Sequence, residues 1–249
     1  MQRFEGKTVL VTGGNSGMGL GTAQAFAAEG ARVVITGRDA ASLESAKATL
    51  GASALAIRND AGSVAAAREL ARTLSDAGIR LDAVFINAGI AKFSPFGDVE
   101  ESLWDQTFNT NVKGPYFQLQ ALTPLFNKGA SIVLNGSINA HIGMPSSSVY
   151  AASKAALISL AKTLSAELLP HGVRVNVLSP GPVETPLYGK LGMDEETLKA
   201  TAAGILSQIP VGRFGHVNEI AASVLHLASP ESGFIVGTEI IIDGGMSQL

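Results

Sequence analysis

Residues 8–19 read TVLVTGGNSGMG, a short β-branched run followed directly by a glycine-rich turn. The run predicts a strand and the turn predicts the start of a helix, because Gly13, Gly17 and Gly19 allow a tight reversal of the chain. Glycines at such a turn let a pyrophosphate approach the N–H groups at the helix N-terminus. The arrangement favours a dinucleotide as ligand, with a purely structural turn as the alternative. A P-loop is excluded, since no Gly-Lys-Ser/Thr follows.

Six further short apolar runs follow along the chain, which gives seven candidate strands. Most are apolar throughout rather than alternating, as expected of strands that helices cover on both faces. The stretches between them are rich in alanine and have helical spacing. This alternation predicts an α/β fold, a doubly wound parallel sheet flanked by helices in one domain over residues 1–249. The predicted strands are Thr8–Thr12, Arg32–Thr36, Ser53–Ile57, Leu81–Ile86, Ser131–Asn135, Arg174–Leu178 and Glu239–Ile242.

Ligands of a doubly wound sheet bind beyond the carboxyl ends of its strands. The second predicted strand is followed there by Gly37, Arg38 and Asp39. Gly37 leaves room, and the guanidinium of Arg38 suits a ribose 2′-phosphate, which favours NADP(H) over NAD(H). Asp39 could instead accept hydrogen bonds from an unphosphorylated ribose, or cap the next helix. Asp60, after the third strand, could likewise contact adenine or cap a helix.

Tyr150 and Lys154 stand four residues apart, and Ser137 lies at the end of the fifth apolar run. On a helix, that spacing projects a phenol and an ammonium from nearly the same face. A cation beside a phenol favours the phenolate and lowers the tyrosine pKa from its usual value of ~10. The three residues predict a proton-transfer site, in which Ser137 and Tyr150 bond a substrate oxygen and Tyr150 exchanges the proton.

Three features of the composition narrow the possible classes of function: a net charge of -3, the absence of cysteine, and lysines and arginines that are scattered along the chain. No basic stripe is present for nucleic acid or anionic lipid, so a small molecule is the predicted partner. Without cysteine there are no disulfides or zinc-thiolate sites, and the dispersed histidines predict no metal site. The sequence shows no signal-peptide segment and no apolar run of membrane-spanning length, which predicts a cytoplasmic protein.

In their order along the chain, these motifs resemble those of the short-chain dehydrogenases/reductases in their short, single-domain form. The family pattern Thr-Gly-x-x-x-Gly-x-Gly is matched by Thr12–Gly19, and later motifs are matched by Asn87-Ala88-Gly89, Asn111, Ser137, Tyr150-x-x-x-Lys154 and Pro180-Gly181. The resemblance covers essentially the whole chain. It implies a Rossmann-like sheet, a nicotinamide dinucleotide, a homotetramer, and a catalytic tetrad of Asn111, Ser137, Tyr150 and Lys154.

The resemblance also implies a set of coenzyme contacts and a mobile substrate lid. The lid corresponds to residues 184–208, for which an ordinary helical insertion is the alternative. Asn111 falls in a predicted helix that Gly114 and Pro115 are expected to bend; without the resemblance, a surface asparagine would be the default. The expected coenzyme contacts are Gly13, Asn15, Ser16, Gly17, Met18, Gly19, Arg38, Asp60, Asn87, Ala88, Gly89, Tyr150, Lys154, Pro180, Gly181, Val183 and Thr185.

The side chains predicted near the mouth of the site are mostly apolar, which favours an uncharged ketone or aldehyde, or the corresponding alcohol. A 3-oxoacyl-thioester reductase is the alternative among enzymes. A non-catalytic dinucleotide-binding redox sensor is the alternative from another class, and the intact Tyr-Lys pair disfavours it. His141 could border the substrate, although a water-exposed loop histidine is the expectation. The mouth residues are Phe93, Phe96, Met144, Leu187, Tyr188 and Met193.

Overall fold

The computed structural model describes residues 2–185 and 194–249 of the chain. The strands within these residues are β1 Thr8–Thr12, β2 Arg32–Gly37, β3 Leu55–Arg58, β4 Leu81–Ile86, β5 Phe126–Asn135, β6 Arg174–Pro180 and β7 Glu239–Ile242. They form one parallel seven-stranded sheet in the order β3-β2-β1-β4-β5-β6-β7. The strand order reverses between β1 and β4, so the predicted doubly wound sheet is confirmed and its switch point lies there.

Helices cover both faces of this sheet. Those in the described residues are α1 Gly17–Ala28, α2 Ala40–Ala48, α3 Val64–Asp76, α4 Glu101–Phe108, α5 Gly114–Leu122, α6 Ser148–Leu168, α7 Glu195–Leu206 and α8 Val217–Ala228. Successive strand residues point to opposite faces, so Val9 and Val11 pack against α1, α2 and α8, whereas Leu10 packs in the layer of α3, α5 and α6. The two cores explain why the strands are apolar throughout rather than alternating.

Some strand bounds differ from the prediction. β3 begins at Leu55 rather than residue 53, because the Ala54 N–H donates to the Gly51 oxygen at 3.2 Å and closes a turn. β5 begins at Phe126, which pairs with Leu81 ahead of a register shift. The polar residues 127–129 hide this early pairing in the sequence. β2 and β6 end at residues 37 and 180, slightly later than predicted.

The bend predicted from Gly114 and Pro115 is a π-helical turn at Asn109–Lys113, which joins α4 to α5. A Cβ atom on Gly114 would overlap the main-chain oxygen of Ala61, so only glycine permits this approach. A π turn carries an extra residue and therefore rotates its side chains relative to a regular helix. Asn111, inside this turn, is 1% exposed, which contradicts the alternative of a surface asparagine.

Two kinds of feature are absent from the described ranges, residues 2–185 and 194–249. No helix there combines the length and the apolar character that a membrane span requires. No three histidine, aspartate or glutamate side chains gather there to hold a metal ion.

Candidate active site

A cleft of about 730 Å³ opens beside the switch point, where the loops after β1 to β5 meet the first turns of α6. This is the place and the size expected for a small-molecule site of a doubly wound sheet. The structure brings most of the predicted site residues together in its wall. Those that line the cleft are Gly13, Asn15, Ser16, Gly17, Met18, Arg38, Asp60, Asn87, Ala88, Gly89, Tyr150, Lys154 and Thr185.

The remaining predicted site residues are not part of that lining; they are Gly19, Asn111, Ser137, Pro180, Gly181 and Val183. A Cβ atom on Gly19 would overlap the Gly13 oxygen, so Gly19 lets α1 pack closely against the turn. A Cβ atom on Gly181 would lie 2.7 Å from the Asp243 Cα. Val183 is 6% exposed and forms an isolated parallel bridge. The two glycines thus act through close packing of the backbone rather than through a side chain.

The glycine-rich turn has the backbone geometry that a pyrophosphate requires. Gly13 and Gly17 have φ values of 63° and 52°, a left-handed conformation that favours glycine. α1 begins at Gly17, and its N-cap Ser16 makes no side-chain capping bond to the helix. The first turn of α1 also has no acidic residue. Its N–H groups and the positive end of its dipole therefore suit the phosphates of a dinucleotide.

Asn87 holds the glycine-rich turn against β4 and β5. Its side-chain Nδ2 donates to the main-chain oxygens of Thr12 at 3.0 Å and Gly13 at 3.3 Å. The Thr12 hydroxyl accepts from the N–H groups of Asn87 and Ala88 at 2.9 and 3.0 Å. The Asn87 Oδ1 in turn accepts from the Asn135 Nδ2 at 3.1 Å. This network of bonds gives Asn87 a scaffolding position that ties neighbouring strand ends together.

The corner after β2 is built around the N-cap of α2. The Asp39 Oδ1 accepts from the Ser42 N–H at 2.8 Å, and this hydrogen bond holds the pKa of Asp39 below its usual value. Asp39 thus caps the helix, which is one of its two predicted roles. The room predicted beside Gly37 holds Asn15: a Cβ on Gly37 would lie 2.8 Å from the Asn15 Oδ1. The Asn15 amide also donates to the Ser42 hydroxyl at 2.8 Å.

Two arginines meet at the same corner. Arg38 is exposed and lines the cleft. Arg58 pairs with Gly37 across β2 and β3, and its Nε donates to the Arg38 main-chain oxygen at 3.1 Å. Arg58 therefore fixes the backbone of Arg38 while the Arg38 guanidinium faces the cleft side. A planar cation in this place suits a phosphate group.

Asp60 does not cap the helix that follows it, which removes one of its two predicted roles. Its Oδ1 accepts from the Gly62 N–H at 3.1 Å in a local turn. The N-cap of α3 is Ser63, whose hydroxyl accepts from the first turn of the helix at 3.2 Å. Asp60 is exposed and lines the cleft, and its other predicted role, a contact with adenine, stays a prediction.

Tyr150 and Lys154 lie one turn apart on α6 and face the cleft together. The Lys154 Nζ lies 5.7 Å from the centre of the Tyr150 ring. Lys154 is 4% exposed, and its Nζ donates to the Asn135 main-chain oxygen at 2.6 Å. Burial lowers the pKa of Lys154 to about 8. The predicted pairing of a phenol with a cation is present, and the cation is held away from bulk water.

Ser137 begins a short 3-10 turn directly after β5. Its hydroxyl accepts from the Asn139 N–H at 3.2 Å and lies 3.3 Å from the Asn139 Oδ1. The N–H groups of Ala140 and His141 donate to the oxygens of Ser137 and Ile138 at 3.1 and 2.8 Å. We refer to residues 137–141 as the Ser137 turn. The turn holds the serine at the carboxyl end of the sheet, 5% exposed.

Asn111 is anchored by every polar atom of its side chain. Its Oδ1 accepts from the Ile90 N–H at 2.8 Å, and its Nδ2 donates to the Ile90 oxygen at 2.9 Å and the Ser153 hydroxyl at 3.0 Å. A Cβ on Gly89 would lie 3.2 Å from the Asn111 Oδ1 and 3.6 Å from the Lys154 Nζ. Both side chains thus approach Gly89, so the π turn brings Asn111 next to the buried cation.

The apolar mouth is described only in part. Phe93 packs edge-on to Tyr150, with ring centres 5.9 Å apart, and both Phe93 and Met144 are 40% exposed. Phe96 is 89% exposed. The predicted mouth residues Leu187, Tyr188 and Met193 lie outside the described residues, as does part of the predicted lid. The described part of the lid contains α7, which Asp194 caps through a 2.9 Å bond from the Thr197 N–H.

Several residues line the cleft that the sequence analysis did not select. Lys92 places a cation next in sequence to Phe93 of the mouth, which was predicted to be mostly apolar. The Lys92 Nζ donates to the Gln106 Oε1 at 2.5 Å. Asn135 could have been found, because it directly precedes Gly136 and Ser137 at a strand end. The others have no local motif that marks them; they include Thr36, Ser42, Asn59, Ala61, Ile90, Ala91 and Thr110.

Comparison with known proteins assigns the family. The family model described as enoyl-(acyl carrier protein) reductase matches residues 13–247. The chain is 36% identical to the 3-oxoacyl-acyl-carrier-protein reductase FabG of Thermotoga maritima, with 98% of the chain and 99% of the relative covered. It is also 36% identical to the NADP-dependent (R)-specific alcohol dehydrogenase of Lentilactobacillus kefiri, over 98% and 97% of the two proteins.

Solved structures support the same family assignment. A protein described as a short chain dehydrogenase/reductase family protein has 40% identity and a TM-score of 0.87, with 99% of this chain and 100% of that chain covered. A short chain dehydrogenase of Burkholderia cenocepacia in complex with NADP has 33% identity and a TM-score of 0.89, over 98% and 99% of the chains. The chain belongs to the short-chain dehydrogenase/reductase family. It is an oxidoreductase that acts on alcohols or ketones with a nicotinamide coenzyme.

Proposed function

We propose that this protein transfers hydride between NADP(H) and an uncharged, mostly apolar ketone or aldehyde, or the corresponding alcohol. The observation that carries the proposal is the placement of Tyr150 and Lys154 one helical turn apart in the cleft, with the lysine 4% exposed. A redox sensor would require the glycine-rich turn but no such pair. An enzyme requires both.

Tyr150 is the proton donor in the proposed reduction. The nicotinamide supplies the hydride when it is bound, and the substrate oxygen then develops negative charge. A phenol O–H donates its proton to that oxygen, and the hydroxyl of Ser137 donates a second hydrogen bond that stabilises the charge. Oxidation of an alcohol follows the same path in reverse, with Tyr150 as the base.

Lys154 keeps Tyr150 near the protonation equilibrium that the reaction needs. Its ammonium lowers the pKa of a nearby phenol, and the low dielectric of its buried position strengthens the interaction. Its bond to the Asn135 oxygen uses one of three ammonium donors, so two remain to hold coenzyme ribose hydroxyls. Asn111 completes the proposed tetrad by placing the π turn beside Lys154, through its bonds to Ile90 and Ser153.

Three observations support NADP(H) over NAD(H). Arg38 lines the cleft at the corner where the adenosine ribose of a dinucleotide binds in this fold, and Arg58 fixes its backbone. The carboxylate of Asp39 is engaged in capping α2 rather than presented to a ribose. The Burkholderia cenocepacia neighbour is an NADP complex, and the Lentilactobacillus kefiri relative is named NADP-dependent.

The rings and thioether near Tyr150 support an apolar substrate, because Phe93 and Met144 offer partly exposed apolar surface there. The alternative is a 3-oxoacyl-thioester reductase, which the name of the Thermotoga maritima relative favours. Lys92 is an exposed cation of the cleft wall that would assist an acidic carrier. We further propose that the whole chain is one dinucleotide-binding domain with a lid at residues 184–208, and that it assembles as a homotetramer.

A spectrophotometric screen tests the proposal. NADPH and NADH oxidation is followed at saturating ketones, aldehydes and a 3-oxoacyl thioester, and the reverse reaction with alcohols. We expect turnover with NADPH and simple ketones or aldehydes. Turnover confined to the thioester would select the alternative reductase. Tight nucleotide binding without turnover across the whole panel would select the sensor.

A further inference from the structure

Glu239 is the first residue of the edge strand β7, and its carboxylate joins two distant parts of the fold. The Ser179 hydroxyl donates to the Glu239 Oε1 at 2.5 Å, and the His141 Nε2 donates to the same oxygen at 2.7 Å. The Glu239 side chain is 14% exposed, and Ser179 is fully buried. His141 is therefore paired with a carboxylate, and it is also exposed to solvent, as the sequence predicted.

One partner of Glu239 belongs to the Ser137 turn, and the other packs against Gly136, the residue before it. His141 is the last residue of that turn, so its bond to Glu239 fixes the end of the turn. Ser179 lies beneath the start of the turn: a Cβ atom on Gly136 would overlap the Ser179 Oγ. One oxygen atom of Glu239 thus bonds the residue that ends the turn and a residue that packs against Gly136, directly before Ser137.

The residue before the turn is also tied to β6, because the Gly136 N–H donates to the Leu178 oxygen at 2.7 Å. The Ser137 hydroxyl itself, within residues 2–185 and 194–249, bonds Asn139 of the same turn. Such local bonds fix the shape of the turn but not its orientation relative to Tyr150. Hydrogen bonds to a carboxylate are shorter and stronger than neutral ones. The bond from Ser179 is shielded from solvent, whereas the bond from His141 lies at the surface. The contacts of Glu239 can therefore set that orientation.

We propose that Glu239 is a positioning residue, which orients the Ser137 turn toward the substrate oxygen through His141 and Ser179. The inference rests on the proposed role of Ser137 as a hydrogen-bond donor in the reaction. It extends that role to β7, whose Glu239 lies 98 residues from His141 in the sequence. The side chain touches no reacting atom; it acts only through the turn.

Glu239→Ala and Glu239→Gln separate positioning from general stability. We expect Glu239→Ala to lower kcat about 10- to 100-fold, because a small displacement of a catalytic group is enough for that loss. The dissociation constant for NADPH should stay within about two-fold, since the coenzyme wall does not contain Glu239. Glu239→Gln retains an accepting oxygen, so we expect it to recover most of kcat. This second variant also serves if the alanine variant folds poorly.

Glu29→Gln is the matched control. Glu29 forms a partly buried pair with Arg3 at 2.5 Å, at the far end of α1 from the glycine-rich turn. The control should change the melting temperature but not kcat. If Glu239→Ala also changed only the melting temperature, Glu239 would be structural and the inference would be overturned.

A double-mutant comparison tests the route through Ser137. Once Ser137→Ala has removed the hydroxyl, Glu239→Ala should cause no further loss of kcat. The same loss in both backgrounds would overturn the inference. Hydrogen exchange gives an independent result: peptides covering residues 138–142 should exchange faster in Glu239→Ala, and unchanged protection would overturn it. Wild-type turnover of Ser137→Ala alone would instead refute the proposed role of Ser137, while the exchange result would still report on the contact.

Discussion

The Lys154 ammonium and the main-chain oxygen of Asn135 form a 2.6 Å hydrogen bond inside the sheet edge, where the lysine is 4% exposed. An ammonium in such a place loses most of its hydration and regains part of it from one carbonyl. The cost appears as the pKa of Lys154, which burial lowers from 10.5 to about 8. Keeping Lys154 charged beside Tyr150 therefore lowers the stability of the folded protein.

We predict that Lys154→Met changes how stability depends on pH. Between pH values of about 8 and 10.5 the unfolded chain holds a proton on Lys154 that the folded chain does not, so wild-type stability rises with pH through this window. Below a pH of about 8, the cost of keeping the buried Lys154 charged lowers the free energy of unfolding by on the order of 3 kcal/mol. The variant lacks this term. Urea unfolding at several pH values should show wild type gaining on the variant as the pH rises.

Lys162→Met is the matched control for this series, because Lys162 is exposed on the same helix. Its stability difference from wild type should vary little with pH. Parallel pH curves for wild type and Lys154→Met would contradict the lowered pKa.

Tyr150→Phe should abolish turnover while leaving NADPH affinity within a few-fold of wild type. The phenyl ring retains the packing against Phe93 but has no proton to donate. General acid catalysis contributes roughly 10²- to 10⁴-fold, which sets the scale of the expected loss. Initial rates and a fluorescence titration with NADPH measure the two effects separately.

Tyr116→Phe provides the comparison, since Tyr116 is 39% exposed and lies outside the described cleft wall. It should behave as wild type in both assays. Retained turnover in Tyr150→Phe would remove Tyr150 from the role of proton donor.

Arg38→Ala should weaken NADPH binding about 10- to 100-fold and NADH binding much less. A bidentate guanidinium-phosphate contact contributes more than a contact with a neutral ribose hydroxyl. Titrations with both nucleotides at two salt concentrations measure the effect, which should shrink as salt rises. Arg68→Ala, an exposed change on α3, controls for net charge. Equal losses for the two nucleotides would show that Arg38 does not recognise a 2′-phosphate.

Gly114→Ala should destabilise the protein by about 3 kcal/mol or more, because the new methyl group overlaps the main-chain oxygen of Ala61 and overpacking of this kind is costly. Gly204→Ala in α7 is the control: nothing lies within 4 Å of its Cβ position. It should be neutral or stabilising by up to about 1 kcal/mol. Equal melting temperatures for the two variants would contradict the close approach at the π turn.

The features that were predicted correctly from the sequence are those with a local signal. The strand patterns, the glycine-rich turn and the spacing of Tyr150 and Lys154 depend on neighbouring residues, so periodicity and turn chemistry reveal them. The bend at Gly114 was also predictable, because glycine followed by proline disturbs a helix. Once the strands are predicted, the place of the cleft follows from the rule that ligands bind at the carboxyl edge of such a sheet.

Contacts between distant residues were not predictable. The bond between His141 and Glu239 joins residues that no pattern connects: His141 is exposed, as predicted, but its partner on β7 could not be foreseen. Asn15 lines the cleft, as a coenzyme contact should, but the bond from its amide to the Ser42 hydroxyl has no local signal in the sequence. Asp39 had two open roles in the sequence, and only the 2.8 Å bond from the Ser42 N–H selects the cap.

The contact between Gly37 and Asn15 bears on redesign of coenzyme choice. A side chain at position 37 would have its Cβ 2.8 Å from the Asn15 Oδ1, so the Asn15 side chain must shift to admit it. That shift acts on the bond from Asn15 to Ser42, which joins the glycine-rich loop to α2. A carboxylate introduced at position 37 to bind an unphosphorylated ribose is therefore best combined with a change at position 15.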